Sequence, residues 1–237
     1  MRLSVLLLLF SSARIFGNDF NVTVTTDGNA TNQLRGAIAA AFAAGAGPHN
    51  ISLAGGTYDI TLGQITFGNS TITIHFTGAG AESTIINMTT TNQNRIFRIN
   101  QSALTPNVVV SFVGITFQNG LVRTDNFGGG AIRCGGPNNQ IVISQCIFQN
   151  NSIDGVVAGT NGGAINMSGG GSLLIDRCTF FNNNTPDGDG GALFYFLDSQ
   201  TGMLQITNSV FNMNSVTDAN SAGGAIGIHV VALTVPA

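Results

Sequence analysis

The sequence predicts an all-β fold: a right-handed, single-stranded parallel β-helix with a short N-terminal capping helix. Three observations predict it. Two short motifs recur in step at intervals of about 32 residues, apolar residues alternate between the motifs, and only 8% of the 237 residues are charged. One supersecondary unit repeated along a chain cannot bury its own apolar face, but stacked copies can.

In chain order, the first expected element is an export leader over residues 1–17. Arg2 supplies a positive start, residues 3–10 a short apolar run, and Ser11-Ser12-Ala13 or Gly17 a small-residue exit. The run is shorter than the roughly 20 residues of a membrane span, and no later stretch reads as a transmembrane helix. The remainder, 18–237, is expected to be one β-helix domain. Within it, Leu34, Ile38 and Ala41/Phe42 fall at helical spacing across Gln33–Ala44, and Gly45 stops the segment. A helix there would cover the bare edge and open core of the first coil. Residues 71–76 alternate with Ile72, Ile74 and Phe76 inward, and Ile96–Ile99 and Val108–Phe117 read as further strands.

The repeats occupy about 114–230. Gly-Gly-Ala followed by an aliphatic residue begins at Gly129-Gly130, Gly162-Gly163, Gly190-Gly191 and Gly223-Gly224, at spacings of 33, 28 and 33 residues. Phe-x-x-Asn joins Phe148 to Asn151, Phe180 to Asn183 and Phe211 to Asn214, and Phe117 begins a broken copy that ends in Gly120. Segments 141–148, 173–180 and 204–211 align residue by residue, with Ile141/Ile143, Leu173/Ile175 and Leu204/Ile206 alternating as in a strand. Coils rising by about 4.8 Å would pile the Phe rings inside. The Asn amides would then bond vertically at a bend, and Gly-Gly would supply a positive-φ corner. Cys146, Cys178 and Ser209 share a column, which favours a buried free-thiol stack over a disulfide. The chain stops mid-coil after the fourth Gly-Gly-Ala, so either truncation or continuation in a partner is expected.

Composition narrows the function. All 8 cations are Arg, and no cluster of them could neutralise phosphates, so nucleic acid is excluded as a partner. Nine Asn-x-Ser/Thr sequons (Asn21, Asn29, Asn50, Asn69, Asn87, Asn100, Asn150, Asn166 and Asn183) agree with eukaryotic secretion, although an Asn- and Thr-rich repeat yields sequons unaided.

The paired GGA(I/L) and FxxN motifs over residues 117–226 resemble those of chlamydial polymorphic outer-membrane proteins, whose passenger domains are right-handed β-helices of the pectate-lyase-like superfamily. Leu34–Ala41, followed by 56–60 and 78–80, is similar to the opening of bacterial secreted β-helix proteins. The resemblance implies a surface-exposed β-helix used in adhesion and carries no catalytic residue. No membrane β-barrel segment follows the repeats, so autotransport is not expected, and Gly120 departs from the FxxN pattern.

Related β-helices also cleave polysaccharides, so the acids need weighing. A lyase wants clustered carboxylates with calcium and a basic residue, and a hydrolase wants two acids flanking the bond. The candidates are Asp154, Asp176 with Arg177, and Asp187 with Asp189. Asp176 and Arg177 align with Ser144-Gln145 and Thr207-Asn208, an outward polar column, and read as an ion pair at a bend. Asp187-Gly188-Asp189 directly precedes Gly190-Gly191, where a turn former is the simpler reading than a calcium ligand set. The three His, at 49, 75 and 229, lack a second ligand at metal spacing, and no cofactor is expected. The expectation is a secreted, cell-surface or outer-envelope binding module for a glycan or cell-surface protein. The alternative is a polysaccharide lyase or hydrolase on the same fold.

Overall fold

A computed structural model describes residues 17–67, 71–89, 94–99, 107–123, 127–154, 160–197, 202–218 and 221–231. Their strands form a parallel β-solenoid of about six coils. The expected leader, apart from Gly17, and the sequons Asn69 and Asn100 lie outside the described residues.

Four sheets run along the stack. Sheet I comprises Asp19–Val22, His49–Leu53, Ile72–Gly78, Val108–Val113, Gln140–Ser144, Ser172–Asp176 and Leu204–Thr207. Sheet II comprises Gly56–Ile60, Thr84–Met88, Thr116–Gln118, Ile147–Gln149, Thr179–Phe181 and Val210–Asn212. Sheet III comprises Ile65–Thr66, Phe97–Ile99, Ile132–Cys134, Ile165–Met167, Leu193–Leu197 and Ile226–Val230. A short sheet IV holds Leu121–Val122, Ser152–Ile153, Asn184–Thr185 and Ser215–Val216. A full coil passes from I to II to IV to III.

The repeat sets the register. Phe148 pairs with Phe117 below and Phe180 above, and Phe180 with Phe211. Their rings stack at centroid distances of 4.9, 4.8 and 4.5 Å, so the expected aromatic column exists and takes in Phe117. Burying each ring contributes roughly 1.5–3 kcal/mol. Asn151, Asn183 and Asn214 form the expected ladder at the bend between II and IV. Asn151 Nδ2 donates to Phe117 O at 3.0 Å, and Asn183 Oδ1 accepts the Asn151 backbone N–H at 3.0 Å. Gly120 breaks the sequence pattern for a steric reason. A Cβ there would lie 1.9 Å from Gly130 O, yet the Gly120 N–H still donates to Asn151 Oδ1 at 3.0 Å.

The first glycine of each Gly-Gly-Ala takes the positive φ expected, between 68° and 81° at Gly129, Gly162, Gly190 and Gly223. Among the described residues, seven non-glycine residues also sit there, at the two bends expected beside the Asp176–Arg177 pair and the Asn column. Gln145, Arg177 and Asn208 turn the chain from I to II, and Asn119, Asn150, Asn182 and Met213 turn it from II to IV. Asn tolerates this conformation better than most residues, which accounts for part of the Asn richness.

The expected helix spans Leu34–Ala44 and buries Leu34, Ala37, Ile38 and Ala41 in the common core. Phe42 meets Phe67 edge-on at 5.6 Å, so the helix closes the N-terminal end of the stack. Asp27 fastens this cap. Its carboxylate accepts from Arg35 Nε at 2.8 Å and from the backbone N–H groups of Thr61 and Leu62 at 3.0 and 2.8 Å. The strand expected over Val108–Phe117 is two strands, broken at Gly114 with φ 66°; the strand expected from Ile96 begins at Phe97.

Cys134, Cys146 and Cys178 are free and buried. Burial pushes their thiols up to about 12, 12 and 11 respectively, so they pack as small apolar groups. Asn21, Asn29, Asn50 and Asn150 are exposed, whereas Asn166 and Asn183 are buried.

Candidate functional site: a groove on sheet III

Asp176, Arg177, Asp187 and Asp189 do not converge, and Asp154 pairs with Arg123, its Oδ2 lying 2.7 Å from Nη2. Asp176 and Arg177 occupy the I–II bend as the expected ion pair, Asp176 Oδ2 lying 3.2 Å from Arg177 Nε. Asp176 Oδ1 also accepts from Thr207 Oγ1 and Asn208 Nδ2, both at 2.8 Å. Those two bonds, helped by Arg177, hold its carboxyl below the ordinary value. Asp187 and Asp189 lie at a different corner, between IV and III. Asp189 Oδ1 accepts the Ala222 N–H of the next coil at 2.5 Å, while Oδ2 meets His229 Nε2 at 2.8 Å. His229, isolated in the sequence, therefore has a carboxylate partner one coil below. Among the described residues no three of His, Cys, Asp and Glu converge as a metal-holding group, and no helix is long and apolar enough to cross a membrane.

What the repeat does build is a groove over the outer face of sheet III. Each Gly-Gly-Ala-aliphatic unit leads into a sheet III strand, and the residue after the aliphatic position points outward. Arg133, Asn166 and Phe194 are register partners in that outward column. The residues just before each Gly-Gly form one wall, with Phe127 and Gly128 in one coil and Asn161 in the next. Ser168, Phe196 and His229 complete the lining of a hollow of about 310 Å³.

Phe127 and Arg133 form the centre of this groove. The Arg133 guanidinium carbon lies 3.9 Å from the Phe127 ring centroid, and Arg133 Nη1 donates to Asn166 Oδ1 at 3.2 Å. Asn166 Nδ2 in turn donates to Asn161 O at 2.9 Å. Phe194 and His229 meet edge-on at 5.2 Å. Arg95, fully buried, fixes the loop carrying Phe127, with Nη2 donating to Phe127 O at 2.6 Å and Gly128 O at 3.2 Å. Gly128 is required where it stands, because a Cβ would fall 1.4 Å from Asn161 O.

Sequence reasoning missed Phe127, Arg133, Asn161, Asn166, Phe194 and Phe196 as a group. A signal was present: after four nearly invariant positions, the next residue changes from Arg133 to Asn166 to Phe194 to Gly227. Repetition marks the residues that hold the coils together; the variable outward position marks what the coils present.

No family model and no curated protein matches the chain.

Proposed function

We propose that the protein is an exported binding module, acting at a cell surface or outer envelope, that holds a glycan in the groove over sheet III. The observation carrying this reading is the lining of that groove. Phe127, Phe194 and Phe196 offer apolar ring surface beside the amides of Asn161 and Asn166 and the guanidinium of Arg133. A sugar has the same two-sided chemistry, with C–H faces that cover aromatic rings and hydroxyls that bond to amides. The groove is preorganised, because its floor belongs to hydrogen-bonded strands and its wall is held by Arg95. Little ordering entropy is therefore lost on binding.

Binding without cleavage fits the acids. Asp176 and Asp189 are engaged by backbone, amide and cationic partners, and the two pairs of candidates occupy separate corners of the coil. The test is a titration of the purified chain against immobilised glycans and whole cells. Wild type is expected to bind, and Phe196→Ala to weaken binding by about tenfold or more at unchanged melting temperature. Absence of glycan binding, or equal binding by the variant, would contradict the proposal.

A further inference from the structure

We infer that the groove takes a neutral glycan, with Phe196 under a sugar face and with Asn161 Nδ2 and Ser168 Oγ as the groups that read its hydroxyls. The inference rests on the glycan-binding reading and specifies its chemistry. The ionic groups of the lining are already engaged within the protein. His229 Nε2 lies 2.8 Å from Asp189 Oδ2, and the Arg133 guanidinium is covered by Phe127 and donates to Asn166. An anion seated here would compete with Asp189 for His229 and meet the repulsion of that carboxylate. Three lining groups without a partner among the described residues, Asn161 Nδ2, Ser168 Oγ and the Phe196 ring, are all uncharged. Asn161 Oδ1 accepts the Asp189 N–H at 2.6 Å, and Asn161 O accepts from Asn166 Nδ2 at 2.9 Å. Those bonds fix the amide and leave its Nδ2 as an unused donor. Ser168 spends its backbone N–H on Cys134 O, and its hydroxyl can donate or accept. Met167 and Tyr195 are register partners, so Ser168 and Phe196, one residue past each, adjoin on the floor at one coil step of about 4.8 Å. Phe196 is half-buried, and Asn161 stands on the wall in the coil of Ser168. An apolar ring, a hydroxyl and a fixed amide donor suit a hydroxylated pyranose of no net charge.

The test uses the full chain with three probes: an oligogalacturonate, the same oligosaccharide with its carboxylates methyl-esterified, and a cello-oligosaccharide. A neutral probe is expected to bind, the ester at least as tightly as the free acid, and raising salt to leave the neutral affinity unchanged. Ser168→Ala is expected to weaken the neutral probe by about two- to tenfold at unchanged melting temperature, the share of one hydrogen bond. Asn161→Asp keeps the acceptor for the Asp189 N–H but removes the donor, and is expected to weaken binding by a similar factor. Should Asn161→Asp perturb folding, Ser168→Ala and the wild-type comparison of ester with acid carry the test. An acid that binds tighter than its ester, neutral binding that falls with salt, or unchanged binding by either folded variant would overturn this inference while leaving the glycan-binding reading intact. Failure of every glycan would remove both.

Discussion

Asn214 Oδ1 accepts two hydrogen bonds from Asn183 in the coil below, one from the backbone N–H at 3.0 Å and one from Nδ2 at 2.8 Å. Asn183 Nδ2 also donates to Phe148 O at 3.0 Å, and its Oδ1 accepts from Asn151. One side chain thus satisfies buried polar groups of the coil beneath it and is itself held by the coil above. Asn183→Ala would leave the Asn151 N–H and Phe148 carbonyl without these partners, at about 1–3 kcal/mol each. The expected outcome is a clear fall in the urea midpoint, with the m-value unchanged, measured by circular dichroism.

The second glycine of the repeat offers an internally controlled comparison. A Cβ on Gly163 would lie 2.2 Å from Gly191 O, whereas a Cβ on Gly224 meets nothing within 4 Å. Neither glycine has a positive φ, so the contrast is steric. Gly163→Ala is expected to destabilise by about 1–3 kcal/mol, and Gly224→Ala to change stability by less than about 0.5 kcal/mol. Thermal melts of the two variants check this.

Met213 stands at φ 55° in the column otherwise occupied by Asn119, Asn150 and Asn182, and it is exposed. Left-handed backbone costs an ordinary residue about 1–2 kcal/mol, and Asn less. Met213→Asn is therefore expected to stabilise the last described coil by up to about 1 kcal/mol, seen as slower amide exchange across 210–216.

The cap gives the fold an acid sensitivity. Burial alone would raise the Asp27 carboxyl, but hydrogen bonds from Arg35, Leu62 and Thr61, with the Arg35 charge, outweigh it and hold the carboxyl below its ordinary 3.8. A lowered folded-state value contributes stability that is present above the unfolded value of about 3.9 and lost as pH falls through the folded one. Wild type is expected to exceed Asp27→Asn in stability at neutral pH, and the gap should close below about pH 3.9. Denaturant midpoints across that range provide the measurement.

The parts legible in the sequence were those that repeat. Phe148, Phe180 and Phe211 announce their column because identical residues recur at the coil period, and Leu34, Ile38 and Ala41 announce the helix by their spacing. Arg95 announces nothing, because its buried carbonyl contacts with Phe127 and Gly128 join residues more than thirty apart in the chain within a diverged coil. Asp27 is hidden likewise, its partners Thr61 and Leu62 being distant in sequence. The groove escaped for the opposite reason to the core. Its floor residues share a register and a direction but no residue type, so pattern matching passes over Arg133, Asn166 and Phe194.

Every role assigned above requires equivalent residues of neighbouring coils to stand in register. Gln149 pairs with Phe181 in the next coil and with Gln118 in the coil below, so Gln118 and Phe181 are two coil spacings, about 9.6 Å, apart. Disulfide trapping reads this directly, because bridged Cα atoms must lie within about 7 Å and the native thiols are buried. The double variant Gln149→Cys/Phe181→Cys is expected to cross-link under mild oxidation, and Gln118→Cys/Phe181→Cys is not. Cross-linking of the second pair in preference to the first would contradict the register and the groove built upon it.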